Sequence, residues 1–137
     1  KCAGLSAEQL CIRASEPSKL SLLGLVRHMA EVERIWFVTR LHGLPLDWIY
    51  STDPKGDDND FDILEPGQAQ ECFEVFHREV AAANAAAAGL SLDHTFVNPR
   101  NNVEIDLRWV YLHMIEEYAR HNGHADLLRE RIDGQVG

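Results

Sequence analysis

The stretch from Leu107 to Leu128 constrains the fold of this chain more than any other. Read as an α-helix, it places Leu107, Val110, Met114, Glu117, His121, His124 and Leu128 on one seam, because residues three and four apart share a face. Both ends of the seam are apolar and belong in a core. The middle is a carboxylate followed by two imidazoles, and the same spacing carries them inward. Burying an unpaired carboxylate costs several kcal/mol, so an inward Glu117 beside an inward His121 asks for a partner. A divalent cation satisfies both.

Glu117 and His121 project from successive turns, about 6 Å apart at Cβ, so a carboxylate oxygen and an imidazole nitrogen converge on one ion. Two ligands from one helix leave a site incomplete. His28 is the best third ligand, since it falls among Leu25, Met29 and Val32 rather than on a charged face. Two histidines and one carboxylate with open positions suit Zn2+, Ni2+ or Fe2+ and leave room for water or substrate. The blander alternative makes His28 a hydrogen-bonded core histidine and Glu117–His121 an ordinary helical pair worth a few tenths of a kcal/mol.

Composition removes other classes of function. The 137 residues fit a single domain, 1–137, and 45% apolar with 26% charged residues is ordinary for a globular protein. A formal charge of -9 argues against a nucleic-acid partner, which needs a basic stripe. No apolar run approaches the roughly 20 residues that span a bilayer. Cys2, Cys11 and Cys72 are an odd, scattered set with no CxxC spacing, which favours a reducing cytoplasm. Cys72 is expected to pack as a small hydrophobe. The opening Lys1-Cys2-Ala3-Gly4-Leu5 has neither an initiator Met nor a signal-peptide core, and reads as beginning partway into something longer.

The rest of the chain reads as helices and two loops. Ser6 as N-cap, with Gln9 three residues on, predicts a short helix to about Ala14, ended by Pro17. A long helix follows from Leu20 or Ser21 to Leu41, stopped by Gly43 and Pro45, with an apolar stripe of Leu22, Leu25, Met29, Val32 and Trp36. Residues 42–67 read as loop. Its acidic run from Asp53 to Asp60 lacks the alternation and closing Glu of a calcium loop and is expected to be solvated. Pro66 suits the first turn of a third helix that ends near Ala88, before Gly89, and buries Phe73, Phe76, Val80 and Ala83. Ser91–Asn102 reads as a second loop, and the last helix as Val103 to Ile132. The expected fold is therefore all-α, an antiparallel four-helix bundle. Its first helix either precedes Lys1 or is replaced by the short N-terminal segment.

Around the proposed ligands, His113 lies one turn before Glu117, placed to hydrogen-bond that carboxylate or to replace it. His124 is a spare ligand, a general base or an interface residue. These two are the candidate catalytic side chains. Arg120 and Arg129 are expected to pair on the solvated side with Glu116 and with Asp126 or Glu130. Glu31, one turn after His28, either orients that imidazole or faces water. His42, His77 and His94 carry no signal.

Two stretches, Ser21–Phe37 with His28 at its centre and Leu107–Glu130 with Glu117 and His121, resemble the DinB-like (YfiT-like) family of small helical metal proteins. The likeness looks especially close to an actinobacterial branch of unknown function. It implies an up-down-down-up four-helix bundle with a metal held between helices by three histidines. His28 and His121 match two of those positions. Glu117 stands where many members have the third His, a departure that resembles mycothiol-dependent maleylpyruvate isomerase and shifts the expected metal towards Zn2+.

The resemblance further implies metal activation of a low-molecular-weight thiol, mycothiol or another, for transfer to or isomerisation of a small electrophile. The aromatic segment around Trp48 and Tyr50 is expected at the pocket mouth. Two other readings remain: a metal-binding or small-molecule-binding helical protein without catalysis, and a structural protein that forms a homodimer through an uncovered helix face.

Overall fold

A computed structural model describes every residue except 52, 54–57 and 63. The acidic run expected as solvated loop thus lies partly outside the described residues. Helix α1 is a single turn, Ala7–Leu10, closed by the expected capping box: Ser6 Oγ accepts from Gln9 N, and Gln9 Oε1 accepts from Ser6 N. Helix α2, Leu22–Glu33, starts at Ser21, whose buried Oγ accepts from Gly24 N at 3.1 Å. It continues without a break as a π-helical segment, Arg34–Arg40. Helix α3 is one turn, Asn59–Asp62. A 3-10 turn, Pro66–Gln68, leads into α4, Ala69–Ala87.

The expected all-α fold needs one correction. Within the segment read as a loop, β1 (Thr95–Asn98) pairs antiparallel with β2 (Val103–Asp106), in the register Thr95↔Asp106 through Asn98↔Val103. Asn98 O accepts from the N–H groups of both Asn101 and Asn102, and Asn102 takes the left-handed φ of 56° that the turn requires. The last helix, α5, consequently begins at Leu107 rather than Val103. Asp106 caps it, Oδ1 accepting from Trp109 N at 2.7 Å, and it runs to Asp133.

The described residues show a predominantly helical chain built on three long helices plus a hairpin, which is coarser than the expected four-helix bundle. Helix α4 packs along α2 and its π-helical extension, and α5 crosses α2. The stripe expected on α2 is buried throughout. On α4 the inward face is rotated: Ala69, Cys72, Val75, Glu79, Ala83 and Ala87 are buried, while Phe73, Phe76 and Val80 lie at its margins. Small residues let α4 approach closely, and the larger rings then cover the edges of the contact. Cys72 packs in the core, as its type suggested.

The core has two apolar halves. One gathers Met29, Val32, Trp36, Phe37, Ala83, Leu107, Val110 and Met114. The other gathers Leu22, Leu25, Ala69, Cys72, Ala125 and Leu128, and the N-terminal segment covers it with Cys2, Leu5, Leu10 and Ala14. Along α2, His28 lies between Leu25 and Met29. Along α5, Glu117 and His121 lie between Met114 and Ala125. The middle of the α5 seam is therefore part of a polar belt between two cores. Among the described residues no helix is long and apolar enough to cross a membrane.

Candidate metal centre

His28, Glu117 and His121 offer ligand atoms that all lie within 4.8 Å of one another. Glu117 Oε2 stands 3.2 Å from His121 Nε2 and 3.9 Å from His28 Nε2, and the two rings meet edge to face with centroids 4.7 Å apart. Donors of a tetrahedral zinc site sit roughly 3.3 Å apart, given bonds near 2.0–2.1 Å. The Glu117 separations of 3.2 and 3.9 Å lie near that value, and the widest, bounded by 4.8 Å, has further to close. Glu117 is buried, and both histidines are half-buried.

Each donor is oriented by a neighbour. Asp60 on α3, itself buried, places Oδ2 2.8 Å from His28 Nδ1. A proton on that Nδ1 leaves the Nε2 lone pair facing Glu117, the arrangement in which a carboxylate fixes the tautomer of a metal-binding histidine. Phe61, next along α3, packs its ring against His28 at 5.2 Å. Glu117 keeps Oε2 for the histidines because Oε1 accepts from Arg120 Nη1 at 2.8 Å. His121 is held below the ordinary imidazole pKa, first by burial and then by His28 beside it, which keeps its ring neutral and able to donate a lone pair. The residues fit a divalent ion.

The sequence reading of these neighbours needs four corrections. Asp60, assigned to a solvated loop, is the buried partner of His28. Arg120 pairs with Glu117 rather than Glu116, because an i,i+3 step carries it back over the site. Arg129 is buried, pairs with Asp133 and donates to Lys1 O and Ala3 O, tying the N-terminal segment to α5. Glu31 neither orients His28 nor faces water. Its buried Oε1 accepts from the backbone N–H groups of Ile49 at 2.9 Å and Tyr50 at 2.7 Å, pinning that segment.

The only sequence hint of Asp60 was chemical and indirect. A ligating histidine needs an acceptor for its second nitrogen, and the acidic run followed by apolar Phe61 was a nearby source of one.

His113 is stacked on Trp109 (5.0 Å, 12°) and meets Trp36 edge-on at 4.8 Å, with Nε2 4.0 Å from Glu117 Oε1. Together with His28 and Glu117 it lines a cleft of about 500 Å3 that continues past Val32, Trp36 and Trp48 to Arg40 and Arg100. Of the two aromatics expected at the mouth, Trp48 lines this cleft. Tyr50 lies under the Arg27 guanidinium, 4.2 Å from its ring centre, and lines a separate cavity. His124 places Nδ1 3.3 Å from His121 Nδ1 and is not among the cleft-lining residues. His42 Nε2 is 3.2 Å from Ala86 O, away from the site.

The family described as MST: Mycothiol-S-transferase matches residues 1–134. The chain belongs to the mycothiol S-transferase family. That membership supports a thiol-transferase type of function and a small-molecule partner, and it agrees at the coarser level with the DinB-like resemblance. No curated protein and no solved structure matched the chain. Cys2, Cys11 and Cys72 are all free, and burial is the leading influence that raises each thiol's pKa, which disfavours the thiolate.

Proposed function

We propose that this protein is a divalent-metal-dependent S-transferase that joins a low-molecular-weight thiol, mycothiol or a close analogue, to a small electrophile. The observation that carries this reading is the convergence of His28, Glu117 and His121 beside an aromatic cleft, in a chain of this family. Zn2+ suits the two imidazoles and one carboxylate best, and Ni2+ or Fe2+ would also be accepted. When bound, the ion supplies Lewis acidity that lowers the pKa of the cofactor's thiol.

The chain's own residues do the remainder. His28 and His121 present Nε2 lone pairs, and Asp60 and Arg120 hold the geometry. His113, open to the cleft and 4.0 Å from Glu117, takes the thiol proton on Nε2 as sulfur attacks the electrophilic carbon. The S–H bond breaks, the S–C bond forms, and the displaced group leaves with its electron pair. His124, in contact with His121, steadies that ligand. Trp36, Trp48 and Trp109 exclude water from the reacting atoms. A homodimer through the outer face of α5, where Leu112 and Ile115 are exposed, belongs to the same reading, and sedimentation at micromolar concentration decides it.

Protein purified without chelators should carry close to one divalent ion per chain by elemental analysis, and should consume mycothiol in the presence of a chromogenic haloarene. Glu117→Ala and His121→Ala should each empty the site and lower turnover by about 100-fold or more, the usual scale for losing a principal electrostatic element. Turnover that survives metal removal rejects the proposal. Tight thiol binding with no product from any electrophile would favour a binding protein instead.

A further inference from the structure

Towards its other end the cleft holds a buried cation with no ion-pair partner among the described residues. Arg40, in the π-helical segment, is 7% exposed, and its Nε has no hydrogen-bond partner. Its guanidinium lies over the Trp36 ring, 4.3 Å from the centroid. The second charge lining that end has the same sign. Arg100 projects from the turn of the β1–β2 hairpin, where its N–H donates to Oδ1 of the buried Asn98 at 3.1 Å. Both arginines and Asn98 line the cleft that begins at His28 and Glu117, and both also border the adjoining groove beside Pro45 and Pro99. Burial, and then Arg100, press the Arg40 guanidinium below its usual pKa.

A buried cation without a counter-ion is costly, and two arginines lining one cleft each offer a planar donor fork suited to an oxyanion. We propose that Arg40 and Arg100 form an anion subsite that selects a carboxylate-bearing electrophile. This deepens the S-transferase reading and rests on it for the identity of the reacting end. The wall between the two ends is aromatic: Glu117, His113, Trp36 and Arg40 follow one another at contacts of 4.0, 4.8 and 4.3 Å. The substrate therefore carries its carboxylate several atoms away from the electrophilic carbon, across an apolar or aromatic spacer.

All three tryptophans of the chain, Trp36, Trp48 and Trp109, line this cleft, so intrinsic fluorescence reports on its occupancy. The protein as purified is titrated with 4-phenylbutyrate and with its uncharged amide, alongside Arg40→Gln and Arg100→Gln. Arg100 is exposed, so its variant tests the subsite with no burden on folding. The carboxylate should bind at least about 10-fold more tightly than the amide, and each substitution should remove most of that preference, on the scale of a charged hydrogen bond.

The metal content of both variants should equal that of the wild type, which separates this test from that of the metal centre. Equal binding of acid and amide, or a preference unchanged in both variants, overturns the subsite. If inorganic phosphate displaces 4-phenylbutyrate at concentrations below those at which the carboxylate itself binds, the carboxylate assignment is wrong and the anion is a phosphoryl group.

Discussion

At Gly24 a Cβ would stand 2.8 Å from Phe61 Cδ1 and 3.1 Å from Ser21 Oγ. The missing side chain is what lets α3 lie against α2, and that contact delivers Asp60 to His28 one turn further on. A chain of cause thus runs from an absent methyl group to the tautomer of a candidate metal ligand. Asp60→Asn should weaken Zn2+ binding by about 10- to 100-fold, the usual cost of disturbing the partner of a ligating histidine. Gly24→Ala should weaken it several-fold in the same direction without touching any ligand. Competition against a chromogenic chelator measures both. Unchanged affinity in Asp60→Asn would mean that the 2.8 Å contact does not orient the ring. At this scale the clustering of the candidate ligands was legible, because helical periodicity alone puts Glu117 and His121 on an inward face. Asp60 was not, because its position depends on how a short helix packs rather than on any spacing.

Among the elements, the π-helical segment and α4 are joined by an ion pair with a buried carboxylate that periodicity does not reveal. Arg34 donates from Nε to Glu79 Oε2 at 2.9 Å and from Nη2 to Oε1 at 2.8 Å, and Glu79 is 3% exposed. Burial alone would raise the Glu79 pKa, but the Arg34 hydrogen bonds and charge outweigh it and the net shift is downward. A carboxyl depressed in the folded state stabilises above its unfolded pKa of about 4.3, and that contribution fades as pH falls through the lower folded value.

Glu79→Gln should therefore cost about 2 kcal/mol at neutral pH. That is below the roughly 3–5 kcal/mol for breaking a fully buried pair, since Arg34 keeps Asp47 and some solvent. Urea melts of the two proteins should converge as pH drops below 4, whereas a constant gap would assign the loss to packing. The long helices were readable from Ser21, Pro66 and Gly89. The hairpin was hidden because its strands have only four residues each. Its signal was the pair of β-branched runs, Thr95-Phe96-Val97 and Val103-Glu104-Ile105, either side of an Asn-rich, Pro-containing turn. Four residues are too few for period-two alternation to stand out against a loop.

Over the whole molecule, the polar belt divides one core into two, and this separation shapes stability. Glu117, 8% exposed, replaces an apolar contact that would otherwise join Met114 to Ala125 along α5. Without metal, that carboxylate is balanced by Arg120, whose Nη1 donates to Oε1 at 2.8 Å. A bound ion would tie α2 to α5 across the gap, acting only on the native state. At a free Zn2+ concentration of about 100 times Kd, such binding adds about 2.7 kcal/mol. For a chain of this size that should raise Tm by about 5–10 °C.

Glu117→Met removes a ligand but restores continuity of the seam, and replacing buried charges by packed apolar groups is often neutral or stabilising. Its metal-free form should thus melt no lower than metal-free wild type, and Zn2+ should no longer raise its Tm. Scanning calorimetry with and without Zn2+ reads both effects. A wild-type Tm indifferent to Zn2+, or a metal-free Glu117→Met protein markedly less stable than wild type, would show that the belt is held for structural reasons. In that case the carboxylate would serve Arg120 and the helix surface rather than an ion.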